Sequence, residues 1–165
     1  MPPLPPPGGA HVLVAHFPIA LLLCAPALVV LALLVPKLRR GIALAALAVM
    51  AMGATGAVVA AGTGEEAAAE ARDTAAGRDA ASLIHEHEEA GERTRTAFLV
   101  LFGLYGGLQL FPVLRKREFG RKADLILHGV FLLLYAVGCL QLAHTAHLGG
   151  RLVHERGVHA PVAGK

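Results

Sequence analysis

Nine histidines in 165 residues are the side chains here that could do chemistry, because neutral imidazole binds haem iron and metal ions and titrates near neutral pH. Their order along the chain says more than their number. His11 and His16 open the first apolar stretch, His85 and His87 precede the third, and His144 and His147 close the fourth, with His154 and His159 just beyond. If the apolar stretches cross a membrane alternately, these eight gather at one face, and only His128 belongs to the other half. Imidazoles crowded at one end of a helix bundle point to bound haem or metal.

Spacing ranks them. His144 and His147 are three residues apart and share a helix face, while His11 and His16, five apart, lie about 140° from each other and cannot both face one ligand. His16 is the deeper of that pair, and an imidazole inside an apolar zone is expensive unless paired or ligated. In the third stretch Ile84, His87, Gly91, Thr94, Phe98, Leu101 and Tyr105 fall on one stripe, which turns His87 toward the bundle and His85 toward an acidic face. Gly91, one turn from His87, leaves room for a flat macrocycle or for a close helix neighbour.

The elements that must position these residues follow from composition. Hydrophobic residues make up 55% of the chain, too much for a soluble domain of this size. Apolar runs from Val12 to Val35, Ile42 to Gly62, Ala97 to Leu114 and Leu125 to Leu142 are each close to the roughly 20 residues a helix needs to cross a hydrocarbon core. They lack the alternation of barrel strands, so helices are expected. Gly53, Gly56, Gly103, Gly106 and Gly107 are read as helix contacts, the Gly103 to Gly107 spacing also suiting a homo-oligomer.

Orientation is read from charge. Eight of the fifteen basic residues, Lys37, Arg39, Arg40, Arg115, Lys116, Arg117, Arg121 and Lys122, occupy two short links, which places those links in the cytoplasm and both termini outside. The net charge of +3 comes from these links, not from a basic face, so nucleic-acid binding is excluded. The loop from Thr63 to Thr96 is acidic, and reads as a solvated helical extension or as a docking surface for a basic redox protein. Cys24 and Cys139 carry no haem-attachment motif and read as packing residues. No phosphate loop, nucleophile elbow or zinc-protease helix is present, and His85-Glu86-His87 has the wrong spacing to chelate from a helix.

These residues resemble a family, the bacterial membrane proteins carrying domain of unknown function 2231. The resemblance covers nearly the whole chain and rests on His11 to Ala20, on Thr63-Gly64 ending the second helix, on His87, and on Ala146 to Val153 followed by Gly157-Val158. The family usually has an acidic residue where Arg151 stands and a tyrosine where His154 stands. The resemblance implies a four-helix membrane domain found near cytochrome and Rieske-type electron-transfer proteins, and no established reaction.

The expected structure is all-α, a four-helix transmembrane bundle in the bacterial inner membrane, with N- and C-termini outside the cytoplasm. Its helices fall at about 11–36, 41–63, 80–114 and 122–148, the last closed by Gly149-Gly150. Residues 1–10 form a proline-rich tail, 11–153 the membrane domain and 154–165 a C-terminal tail. The expected function is electron transfer through b-type haem held by His16, His87, His144 or His147, in partnership with a periplasmic cytochrome c or a membrane redox complex rather than as a stand-alone enzyme. One alternative is a Zn, Cu or Fe site drawing on His11, His85 and His154, with Glu65 or Glu66 as a carboxylate ligand. The other is a cofactor-free structural subunit.

Overall fold

A computed structural model describes residues 7–116 and 119–158. His159 and residues 1–6 of the proline-rich leader lie outside the described residues. The described chain is helical: α1 (Pro7–Leu34), a 3-10 turn (Pro36–Leu38), α2 (Arg39–Arg72), the short α3 (Ala75–Asp79), α4 (Ala81–Arg115) and α5 (Arg121–His154). Four of these helices, all but α3, are long and apolar enough to cross a membrane. α1 packs on α2, α2 on α4, α4 on α5 and α5 back on α1, while the diagonal pairs make no backbone approach. Only side chains therefore meet across the middle.

Solvation is inverted relative to a soluble bundle. Leu133 and Leu140 are 71% and 72% exposed, whereas the interior holds Met50, Tyr105, Tyr135 and His128, the pattern of a bundle whose outer surface meets lipid tails. Small residues bring α1 and α2 together: a side chain at Gly53 would overlap Leu22, and one at Gly56 would press on Phe17 and Pro18. Gly103 and Gly107 differ, since their Cβ positions meet nothing within 4 Å; that face is open in the single chain.

Two helix ends depart from expectation. The second helix does not stop at Thr63-Gly64 but runs to Arg72, because one interior glycine costs only about 1 kcal/mol and the alanine-rich segment beyond it packs Ala68 and Ala71 against Leu83, Ile84 and Leu152. Nor does Gly149-Gly150 close the last helix, which continues to His154. Its actual stop is at Gly157, left-handed at φ 66°, with the Val158 N–H donating back to the Leu152 carbonyl at 3.0 Å and Val158 buried beside Leu152, a glycine-terminated helix end. These extensions, with α3, build a small apolar cap on the histidine end. Thr74 caps α3 by accepting from the Gly77 N–H, and Arg72 pairs with Glu88 across α2 and α4.

In the membrane portion, Pro26 lies inside α1 and has no N–H to give the Leu22 carbonyl. Tyr135 of α5 donates its hydroxyl to that carbonyl at 2.9 Å, tying two helices through a defect in one. Rings then stack along the α4–α5 seam: Phe98 to Tyr135 at 5.4 Å, Tyr135 to Phe131 at 5.7 Å, and Phe131 to Tyr105 at 5.1 Å. Tyr135→Phe leaves the Leu22 carbonyl unsatisfied in an apolar setting and is expected to destabilise the bundle by about 1–3 kcal/mol. Adding Pro26→Ala restores a helix donor and is expected to recover most of that loss in detergent unfolding; no recovery would refute the pairing.

Candidate functional site

The histidine end contains a layer of polar side chains between two apolar clusters. Below it lies the core of Leu22, Met50, Phe98 and Tyr135; above it lies the cap of Ala68, Leu83, Ile84 and Leu148. The layer is built from His11 on α1, Thr63 on α2, His87 and Thr94 on α4, and Gln141 and Thr145 on α5. All four long helices contribute.

His11 and His87 meet across the bundle diagonal, their ring centres 6.3 Å apart and their planes at 77°. Their protonation follows from their partners. The Thr63 hydroxyl gives its single proton to the Ala60 carbonyl at 3.1 Å, so at 3.2 Å from it the His11 Nδ1 must be the donor. The Thr145 carbonyl can only accept, so His87 Nδ1, 3.1 Å away, also carries its proton. With Nδ1 donating to the Thr145 carbonyl, the neutral His87 ring has its lone pair on Nε2, the tautomer of a metal-ligating histidine oriented through its other nitrogen. Thr145 in turn donates its hydroxyl to the Gln141 carbonyl at 3.0 Å and accepts from Thr94 at 2.8 Å, which fixes the stretch of α5 that holds His87.

Glycines seat both rings. A Cβ at Gly64 would stand 3.0 Å from His11 Cε1, and one at Gly149 would stand 3.0 Å from His87 Cε1. Both glycines provide close approach within a helix rather than termination.

The other expected ligands lie elsewhere. His16 is exposed and donates from Nδ1 to the Val12 carbonyl of its own helix at 2.6 Å. His144 and His147 are exposed on α5, and inward positions nearby belong to Thr145 and Leu148. His85 sits outside with Glu89 at 3.4 Å, and His154, Glu65 and Glu66 are exposed. Among the described residues no group of three or more His, Cys, Asp or Glu could hold a metal ion. Cys24 and Cys139 are free thiols. The structure thus brings His87 to His11, and leaves the remaining expected ligands apart from that pair.

Comparison with protein-family models, curated proteins and solved structures returns no match.

His87 lies in the part of α4 above the apolar stretch, ten residues before Ala97. Burial lowers its pKa below the usual 6.5, against the opposing pull of the Thr145 carbonyl and the nearby Glu88 charge. The unfolded chain therefore binds a proton that the folded ring resists. Stability is unaffected by this group above the unfolded value and falls as the pH drops through it toward the folded value. Thermal unfolding followed from pH about 8 to about 5 is expected to show that decline, with a flatter profile in His87→Gln; equal slopes would contradict a buried neutral His87.

Proposed function

We propose that this chain is a membrane electron-transfer module in which His11 and His87 hold a b-type haem at the acidic end of the bundle. One observation carries the reading. With metal–nitrogen bonds of about 2.0 Å, two imidazoles on opposite sides of one ion place their ring centres about 6 Å apart, and two on a tetrahedral ion about 5 Å. The separation of 6.3 Å matches the wider spacing, so His11 and His87 are the residues that would hold the haem iron. Gly91, whose Cβ position meets nothing within 4 Å, suits a flat ring beside His87. Haem would supply a one-electron couple, and the chain's part is to fix the imidazole tautomers through Thr63 and Thr145 and to wall the site with apolar side chains.

In this reading the basic links face the cytoplasm of a bacterial cell and the histidine end faces outward. Exposed Glu65, Glu66, Glu86, Glu89 and Glu92 then present negative charge to a basic partner such as a periplasmic cytochrome c, or to a membrane redox complex. The residues carrying the resemblance to the domain 2231 proteins support a common site, because His11, Thr63, Gly64, His87 and Gly149 converge on this layer. A second reading, a single Zn, Cu or Fe ion or a cofactor-free clamp, is favoured by the close seating of both rings on glycine.

Reduced-minus-oxidised visible spectra of protein purified after haem-supplemented expression separate these readings. Sharp b-type bands that vanish in both His11→Ala and His87→Ala are expected, with His16→Ala, His144→Ala and His147→Ala retaining them. Bands lost instead in the latter three would move the haem to the outer histidines. A featureless wild-type spectrum would overturn the haem reading, and elemental analysis would then distinguish an ion from a clamp.

A further inference from the structure

The opposite end of the bundle holds a second buried polar group, on which the haem reading does not draw. Asp124 and His128 of α5 are 8% and 4% exposed. Arg39 of α2 donates to Asp124 Oδ1 at 2.6 Å, and His128 Nδ1 lies 3.4 Å from the same oxygen. Gln109 of α4 stands 3.3 Å from His128 Nε2 through its amide nitrogen. The Tyr105 ring, also on α4, meets the imidazole at right angles with ring centres 6.2 Å apart. The Tyr105 hydroxyl is fully buried and has no hydrogen-bond partner among the described residues. Buried hydroxyls rarely go unpartnered, so it marks a place where a further donor or acceptor enters the cluster.

The tautomer of His128 is fixed by its own helix. Its Nδ1 is 2.9 Å from the Asp124 backbone carbonyl, which can only accept, so Nδ1 carries a proton and the Nε2 lone pair accepts from the Gln109 amide. If Nε2 is protonated, Gln109 need only turn its amide to offer Oε1 instead. Both charge states of the imidazole keep both hydrogen bonds. The charges around it are balanced as well: Asp124 on α5 and Arg39 on α2 bear opposite signs, α4 contributes the neutral Gln109 and Tyr105, and α1 has no titratable side chain at this end. A purely structural clamp needs only the Arg39–Asp124 pair, so the imidazole and its reversible amide are an addition to it. Arg39, whose side chain is 38% exposed, links the cluster to the surface at this end, where it lines an open groove formed by the turn from Pro36 to Ile42.

We propose that His128, with Gln109, Asp124, Arg39 and Tyr105, is a proton-binding site loaded from the basic end of the bundle. A proton passes from solvent water to His128 Nε2, forming one N–H bond as an O–H bond breaks. Asp124 remains a carboxylate, Arg39 remains charged, and Gln109 turns to accept from the new imidazolium. The Tyr105 hydroxyl supplies a polar contact for the water that carries the proton.

The test is nuclear magnetic resonance of full-length protein in lipid nanodiscs, labelled with 15N in histidine rings and glutamine side chains. The chain has only two glutamines, Gln109 and Gln141, so Gln109→Leu assigns the amide and His128→Gln assigns the ring. The expected result is a His128 ring protonated at Nδ1 alone in alkaline buffer that gains an Nε2 proton on acidification, with the Gln109 amide signals moving in the same step. A His128 that keeps one charge state throughout, or titrates while the Gln109 amide stays still, would overturn the proposal. The wild-type titration alone decides this if a variant fails to fold, and it is independent of any haem at the other end.

Discussion

Pro26 removes a backbone donor from the first helix at mid-bundle, and the Tyr135 hydroxyl replaces it. Most of the membrane portion follows from that exchange. A carbonyl stripped of its helical partner cannot be left facing hydrocarbon, so α1 must present Leu22 to α5 at a fixed height and rotation. Leu22 then fills the space above Gly53 of α2, and Tyr135 stands between Phe98 and Phe131. One satisfied carbonyl therefore sets the register of α1 against both of its neighbours.

The same rule organises the two ends. Each inward-facing imidazole sets its Nδ1 against an oxygen: a threonine hydroxyl for His11, and backbone carbonyls for His87 and His128. Threonines back-bonded to their own helices close the remaining valences of the upper layer. In the lower layer a guanidinium from the diagonally opposite helix and an amide from a neighbouring one serve the same end. The two layers share a logic, and the lower one contains a full ion pair between Arg39 and Asp124.

How much of this could be read from residues alone depended on whether a helix has two different faces. α4 does, and its stripe of Ile84, Thr94, Phe98, Leu101 and Tyr105 is buried as the periodicity requires. α1 is apolar nearly all round, so nothing in its sequence chooses its rotation, and the depth of His16 gave no hint that His11 would be the ring turned inward. In α5 the rows of His144 and His147 were legible as one face; that the face points out while Thr145 and Leu148 point in depends on neighbours. Glycine has two uses, stopping a helix and letting another chain come close, and spacing does not separate them; at Gly64 and Gly149 the second prevails. Arg39 read as a charge that orients the chain, and its long-range partner Asp124 lies 85 positions away, beyond any local pattern.

The ladder of Phe98, Tyr135, Phe131 and Tyr105 has an electrical consequence. It packs the low-dielectric middle of the bundle with rings and keeps the two polar layers apart, so a membrane voltage falls chiefly across this column rather than across either layer. Moving a unit charge through such a drop is worth about 2.3 kcal/mol per 100 mV. If the two proposed sites carry charge, a proton at His128 and an electron beside His11 and His87 would sit at opposite ends of the field, and a potential that favours one sign of charge at one end would disfavour it at the other.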